Sequence, residues 1–134
     1  MINKMTVLIL FLLVQLLLAN SAYALKTIAE CQQKDTPISD ISRCLDGLIE
    51  SVDRELQTWV NNHVFNFEEK AMITGRYSAL KMFKRSQSNF ITFRENDCRW
   101  QYLAATPVKS ANIAYKKCYI ELSKIRITQL SQIP

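Results

Sequence analysis

Glycine and proline are scarce in this chain, whose 134 residues include only two glycines and three prolines. These residues interrupt regular structure more strongly than others, so their scarcity favours a few long helices. The chain also has no internal repeat and no low-complexity segment. No stretch shows the alternation of apolar and polar residues that is typical of a strand. The sequence therefore predicts an all-α fold.

Residue patterns that carry catalysis or bind metals are also missing. The only histidine, His63, lies in the polar stretch NNHVFNF (61–67), which we interpret as a turn with His63 at the surface. There is no G-x-S-x-G sequence and no glycine-rich phosphate loop. The four cysteines are separated by 12, 53 and 19 residues, which is not the spacing of zinc ligands. We therefore expect neither an enzyme nor a metal site, and no cofactor.

The N-terminus has the pattern of a secretory signal peptide. Lys4 precedes an apolar run over residues 5–18, and SAYA (21–24) provides a cleavage site after Ala24. The run is shorter than the roughly 20 residues that span a bilayer, which argues against a permanent anchor. We expect residues 1–24 to be removed and residues 25–134 to form one periplasmic domain of 110 residues with no stable membrane anchor.

The domain that remains is mildly basic. Residues 25–134 contain 16 of the 17 basic residues and all 12 acidic ones, which gives a net charge of +4. The basic stretches KMFKR (81–85) and KK (116–117) are typical of a solvated helix face. An exported protein does not normally meet nucleic acid, so an anionic partner would be lipid head groups or a cell-wall polymer.

Helical periodicity divides the domain into three segments. The first, with Ser39 or Asp40 as N-cap, places nine apolar residues between 41 and 60 on one stripe. A second pattern runs from Ile73 to Tyr102, with Glu68 and Glu69 in its first turn. Pro107 ends it, and a third pattern follows Ser110. We predict an antiparallel three-helix bundle preceded by an irregular lead-in over residues 25–37.

The cysteine count indicates two disulfides. An even number in a small exported domain is typical of a disulfide framework, although four cysteines allow three pairings. The predicted order of helices brings Cys98 near Cys118 across one connection, and it brings Cys31 near Cys44 when the lead-in folds back. We therefore predict the pairs Cys31–Cys44 and Cys98–Cys118.

The stretch SQSNFITFRENDC (86–98) carries a family resemblance. It is similar to the pattern Q-x-x-W-x-x-F/Y-R-x-x-x-C of the LprI-type lysozyme-inhibitor domain family. Gln87, Phe93, Arg94 and Cys98 match this pattern, and Phe90 stands where the family usually has Trp.

Two further blocks extend the resemblance over nearly the whole domain. The stretch CYIELSKIRITQL (118–130) resembles a block with Cys, Leu-Thr and Arg-Thr-x-x-Leu, in which Arg126 matches and Ser123 replaces Thr. The two N-terminal cysteines followed by DREL (53–56) resemble the opening block. The resemblance implies an exported helical domain and an inhibitor of lysozyme, with a lysozyme-type muramidase as partner.

The motif raises a question about Arg94 and Gln87, because helical spacing places both on the inward side of the second helix. In one interpretation they form a structural clasp. Arg94 would then bind a carboxylate bidentately, with Asp53 as the preferred partner and Asp97 as the second, and Gln87 would hold a backbone carbonyl. In the other interpretation Arg94 contacts a ligand carboxylate in a groove. We favour the clasp because buried charges are usually paired within the fold.

Three functions fit these observations: an inhibitor of a muramidase, a periplasmic accessory protein without an enzyme target, and an immunity-type protein. The connection AATPVKS (104–110) is the best candidate for a protruding contact, because it joins two long helices and carries Pro107 and Val108. The sequence does not define the oligomeric state.

Overall fold

A computed structural model describes residues 27–133, and within them the chain is all-helical, with no strand. A short helix, α1 (Ile28–Cys31), is followed by three long ones: α2 (Ile38–Thr74), α3 (Ser78–Ala105) and α4 (Ala111–Ser131). The predicted signal peptide lies outside the described residues. None of the helices within 27–133 combines the length and apolar character needed to span a bilayer.

The predicted lead-in is more regular than expected, because it contains α1. Thr27 caps this single turn: its side chain accepts a hydrogen bond from the Glu30 amide, and the Glu30 carboxylate accepts one from the Thr27 amide. The next helix begins at Ile38 with Pro37 at its N-cap, so the prediction of Ser39 or Asp40 as cap was wrong. The fixed φ of proline suits the start of a helix without a capping side chain.

The predicted turn over residues 61–67 was wrong, since α2 continues through it. The asparagines that indicated a turn form side-chain hydrogen bonds along the helix, from Gln57 to Asn61 at 2.7 Å and from Asn66 to Asn62 at 2.8 Å. Helix propensity is a weak preference that packing overrides. The helix ends at Gly75, whose φ of 70° is the left-handed conformation that glycine adopts without strain.

His63 is buried rather than exposed, which corrects its predicted position. Its Nε2 lies 2.8 Å from the carbonyl oxygen of Leu130, near the end of α4. Its ring stacks between Trp59 and Phe67 of α2 and contacts Phe83 of α3, with centroids 5.5–6.3 Å away. The spacing of 59, 63 and 67 is the i, i+4 pattern of one helix face, which the polar neighbours obscured.

The second long helix of the prediction, α3, starts at Ser78, and Glu68 and Glu69 belong to α2 rather than to its first turn. Glu68 accepts a hydrogen bond from Lys84 of α3 at 2.9 Å. The apolar pattern that began at Ile73 crosses the turn at Gly75, so the sequence showed one continuous period where the chain reverses direction.

Contacts between the helices show their relative directions. Asp53 meets Arg94 and Glu68 meets Lys84, so α2 and α3 run antiparallel. Glu95 meets Tyr115 and Gln87 meets Arg126, so α3 and α4 also run antiparallel. The pairs that show α2 and α4 running in the same direction are Ser42 with Lys116 and His63 with Leu130.

The apolar core lies mainly between α2 and α4. Its fully buried side chains include Leu45 of α2 and Ile120 and Leu130 of α4. On α3 the buried residues are Leu80, Arg94 and Cys98, so a guanidinium occupies the middle of that helix's inward face. Two disulfides, Cys31–Cys44 and Cys98–Cys118, tie α1 to α2 and α3 to α4.

Candidate functional site

Arg94 lies at the centre of a polar cluster between the three long helices. One nitrogen, Nη1, donates to Ser123 Oγ of α4 at 2.7 Å and lies 3.3 Å from Asp53 Oδ1 of α2. The Arg94 side chain is 7% exposed and the Asp53 side chain is 42% exposed. The ion pair is therefore half open to water, with the cation on the buried side.

Tyr119 completes this cluster. Its hydroxyl donates to the Asp53 carboxylate, 3.1 Å from each oxygen, and the Arg94 guanidinium lies 3.7 Å from the centre of its ring. Ser123 Oγ donates in turn to the Tyr119 carbonyl oxygen at 2.6 Å. Burial raises the pKa of Tyr119, with Asp53 adding to that rise and Arg94 opposing it. The hydroxyl is therefore neutral and remains a donor at neutral pH.

The geometry of Arg94 fits the clasp hypothesis in part. Asp53 was the partner expected, but one nitrogen rather than a bidentate fork faces it. Asp97, the second expected partner, accepts hydrogen bonds from Trp100 and Gln101 of its own helix. Among the described residues no buried side-chain nitrogen or oxygen lacks a hydrogen-bond partner. The cluster is thus satisfied from within the chain.

Gln87 pairs with an arginine side chain rather than with the backbone carbonyl that the sequence analysis predicts for it. Its Oε1 accepts a hydrogen bond from Arg126 Nε of α4 at 3.2 Å, and Arg126 Nη2 donates to Ser86 Oγ at the same distance. The Phe90 ring lies between the two arginines, 5.6 Å from the guanidinium of Arg94 and 5.5 Å from that of Arg126. Burial lowers the pKa of Arg126. This second cluster joins α3 to α4.

Tyr119 is the site residue that sequence reasoning missed. It lies in the motif block that begins at Cys118, four residues before Ser123, and the same spacing puts both on one helix face. The sequence did carry a signal for Tyr119. It lies one helical turn from a small hydroxyl residue, on a helix that faces an inward arginine.

A surface cavity of about 600 Å³ lies between α3 and α4, near the end of the molecule that carries residues 106–110. The residues that line it are Glu95, Arg99, Tyr102, Leu103, Asn112 and Tyr115. The Tyr115 hydroxyl donates to Glu95 Oε2 at 2.7 Å, and Arg99 lies 3.7 Å from the other Glu95 oxygen. The cavity is therefore lined by both charged and aromatic groups.

We predict that the free energy of unfolding falls in alkaline solution because of Tyr115. Burial raises its pKa to about 12, and the hydrogen bond and negative charge of Glu95 add to the rise. An unfolded tyrosine has a pKa of about 10. The contribution of Tyr115 to stability is therefore complete below pH 10 and falls as the pH rises from about 10 to about 12. Urea unfolding across this range should show a smaller loss in Tyr115→Phe than in wild type. Equal losses in the two proteins would contradict the assignment.

Metal-binding geometry is absent from this region and from the rest of residues 27–133, where no group of three or more His, Cys, Asp or Glu side chains could hold an ion. All four cysteines are in disulfides, so they provide no thiolate.

The fold and site define an all-helical domain with two internal disulfides and two arginine clusters between its long helices. The chain belongs to the family described as lysozyme inhibitor LprI, whose model matches residues 29–130. This match includes all four cysteines and both arginine clusters. Comparison with curated proteins and with solved structures gives no match.

Proposed function

We propose that this protein is an exported, non-enzymatic inhibitor of a lysozyme-type muramidase. The family match over residues 29–130 carries this proposal, because the family is described as one of lysozyme inhibitors. The matched region includes the three long helices almost completely and both disulfides, so it is nearly the whole described domain rather than a short motif.

Export to the periplasm is part of the proposal. Residues 1–24 have the signal pattern described above, and residues 25–134 would be the mature domain. Two disulfides support an oxidising compartment, because disulfides are rare where thiols are kept reduced. In the periplasm the protein would meet muramidases that reach the cell wall.

The arginine clusters serve, in this proposal, to hold an antiparallel three-helix bundle together. Arg94 contacts Asp53 on one neighbouring helix and Ser123 on the other, and Arg126 contacts Gln87. These donors are occupied within the chain, which supports a clasp rather than a ligand site.

The surface offered to the muramidase is the end of the molecule around residues 103–110. Val108 is 60% exposed, and Leu103 and Trp100 near the end of α3 are also exposed. Exposed apolar and aromatic residues of this kind are typical of the centre of protein interfaces. The net charge of +4 disfavours a strongly basic enzyme, so the target would be a neutral or acidic muramidase.

Inhibition of cell-wall hydrolysis tests the function directly. The exported, oxidised protein should slow the turnover of peptidoglycan by at least one of a panel of muramidases. A Leu103→Asp/Val108→Asp variant should raise the inhibition constant more than tenfold without changing the melting temperature. The matched control is Ile91→Asp/Ile125→Asp, two exposed apolar residues elsewhere. No inhibition by micromolar protein across the panel would leave the accessory and immunity-type functions.

A further inference from the structure

The helices α2 and α3 extend beyond the end of α4 as a two-helix arm. The contact between His63 and Leu130 places the end of α4 at the level of residue 63. Residues 64–74 of α2 continue past it for about 16 Å at the usual helical rise. Residues 78–85 of α3 run back beside them, and Phe67 and Phe83 pack together at 5.4 Å. We define the arm as residues 64–85.

The tip of this arm is strongly basic. Residues 70–85 contain five cationic side chains and no acidic one; the five are Lys70, Arg76, Lys81, Lys84 and Arg85. Lys84 is paired with Glu68 across the arm. Within residues 27–133 the other four form no ion pair, and all four are exposed. Their charge is therefore available to a partner.

Apolar side chains project from the same segment. Met72 is 71% exposed and Ile73 is 78% exposed, and Tyr77 and Met82 are also exposed. These residues lie within the last turn of α2 and the first turns of α3, on both sides of Gly75. Four large apolar side chains exposed within residues 72–82 are typical of an interaction surface.

We propose that the arm tip docks reversibly on a bilayer that contains anionic lipids. The cations complement the head-group phosphates, and Met72 and Ile73 enter the boundary between head groups and acyl chains. A cell-wall polymer would satisfy the cations but would leave the apolar residues in water, which favours the bilayer. The proposal does not depend on inhibition of a muramidase, and it adds no permanent anchor.

Each unpaired cation near an anionic surface should strengthen binding roughly fivefold at low salt, and the effect should weaken as salt is added. Three of the four lie at or within two turns of Gly75: Lys70, Arg76 and Lys81. Neutralising these three should weaken binding on the order of a hundredfold. Because the three are exposed and unpaired, the fold should not change.

Vesicle co-sedimentation of the exported, oxidised protein tests this proposal. We expect binding to vesicles of phosphatidylglycerol and phosphatidylethanolamine and no binding to phosphatidylcholine vesicles. The Lys70→Gln/Arg76→Gln/Lys81→Gln variant should lose binding, while Lys34→Gln/Arg54→Gln/Lys124→Gln, with the same net charge, should bind like wild type. Met72→Ser/Ile73→Ser should also bind weakly, with Ile91→Ser/Ile125→Ser as its matched control.

Several results would overturn the proposal. These are equal binding by the two triple variants, wild-type binding by Met72→Ser/Ile73→Ser, and binding of purified cell-wall polymer without any binding of vesicles. Loss of muramidase inhibition in the arm variants, without vesicle binding by wild type, would also overturn it, because the arm would then be an enzyme contact. Thermal melts of all four variants should match that of wild type and establish that each one is folded.

Discussion

Replacing Arg94 with alanine should lower the free energy of unfolding by about 2–4 kcal/mol. Arg94 is one of the few buried residues of α3, and its guanidinium contacts both of the other long helices. The variant loses the contacts to Asp53 and Ser123 and the packing on the Tyr119 ring, and it leaves a space between the helices. Urea unfolding followed by circular dichroism measures the change.

Asp53→Ala should cost a similar amount for a different reason. Asp53 is the half-exposed partner, so its removal leaves the buried guanidinium of Arg94 without a counter-ion and the Tyr119 hydroxyl without its acceptor. Because the two changes remove the same interaction, the double variant should be less destabilised than the sum of the single ones. Arg54→Ala, next to Asp53 but exposed, is the control and should change stability by less than about 0.5 kcal/mol. Strict additivity would show that the pair does not act as a unit.

The second large effect is expected from the Cys98–Cys118 disulfide. Its loss in Cys98→Ala/Cys118→Ala should lower the free energy of unfolding by about 3 kcal/mol, because the closed loop of about 20 residues restricts the unfolded chain. Both cysteines are buried, and alanine avoids placing an unpaired hydroxyl among apolar groups.

The Cys31–Cys44 disulfide closes a shorter loop, with a sequence separation of 13, and its removal should cost slightly less. Urea unfolding of the two double variants beside wild type makes the comparison. Non-reducing peptide mapping is the control for the pairing. A peptide that joins residue 31 or 44 to residue 98 or 118 would contradict this disulfide pairing.

Sequence reasoning predicted the helical class and the position of Arg94 because both depend on periodicity and on helix order. Helical spacing predicted that Gln87, Arg94 and Cys98 face inward and that Asp53 lies on the facing helix.

The helix boundaries could not be predicted as well from the sequence. Asparagine in NNHVFNF favours turns as an isolated residue, but here Trp59, His63 and Phe67 form one face that packs on α3 and α4.

Only some of the residues in the arginine clusters could be predicted from the sequence. Ser123 and Tyr119 form hydrogen bonds that depend on the rotation of α4 about its axis, which apolar periodicity does not fix when apolar residues surround the helix. The pairing of Gln87 with Arg126 depends on the vertical register of α3 against α4. Spacing along one helix does not reveal this register, nor that the Phe90 ring lies near the guanidiniums of both Arg94 and Arg126.

We propose that the Arg94 cluster maintains the fold and that other surfaces bind partners. The most direct test measures the melting temperature and the muramidase inhibition constant of Arg94→Met, which keeps most of the apolar stem and removes the charge. We predict a lower melting temperature and, where circular dichroism shows a folded protein, a wild-type inhibition constant. A variant that melts like wild type but no longer inhibits would contradict it and would make the Arg94 motif a binding site.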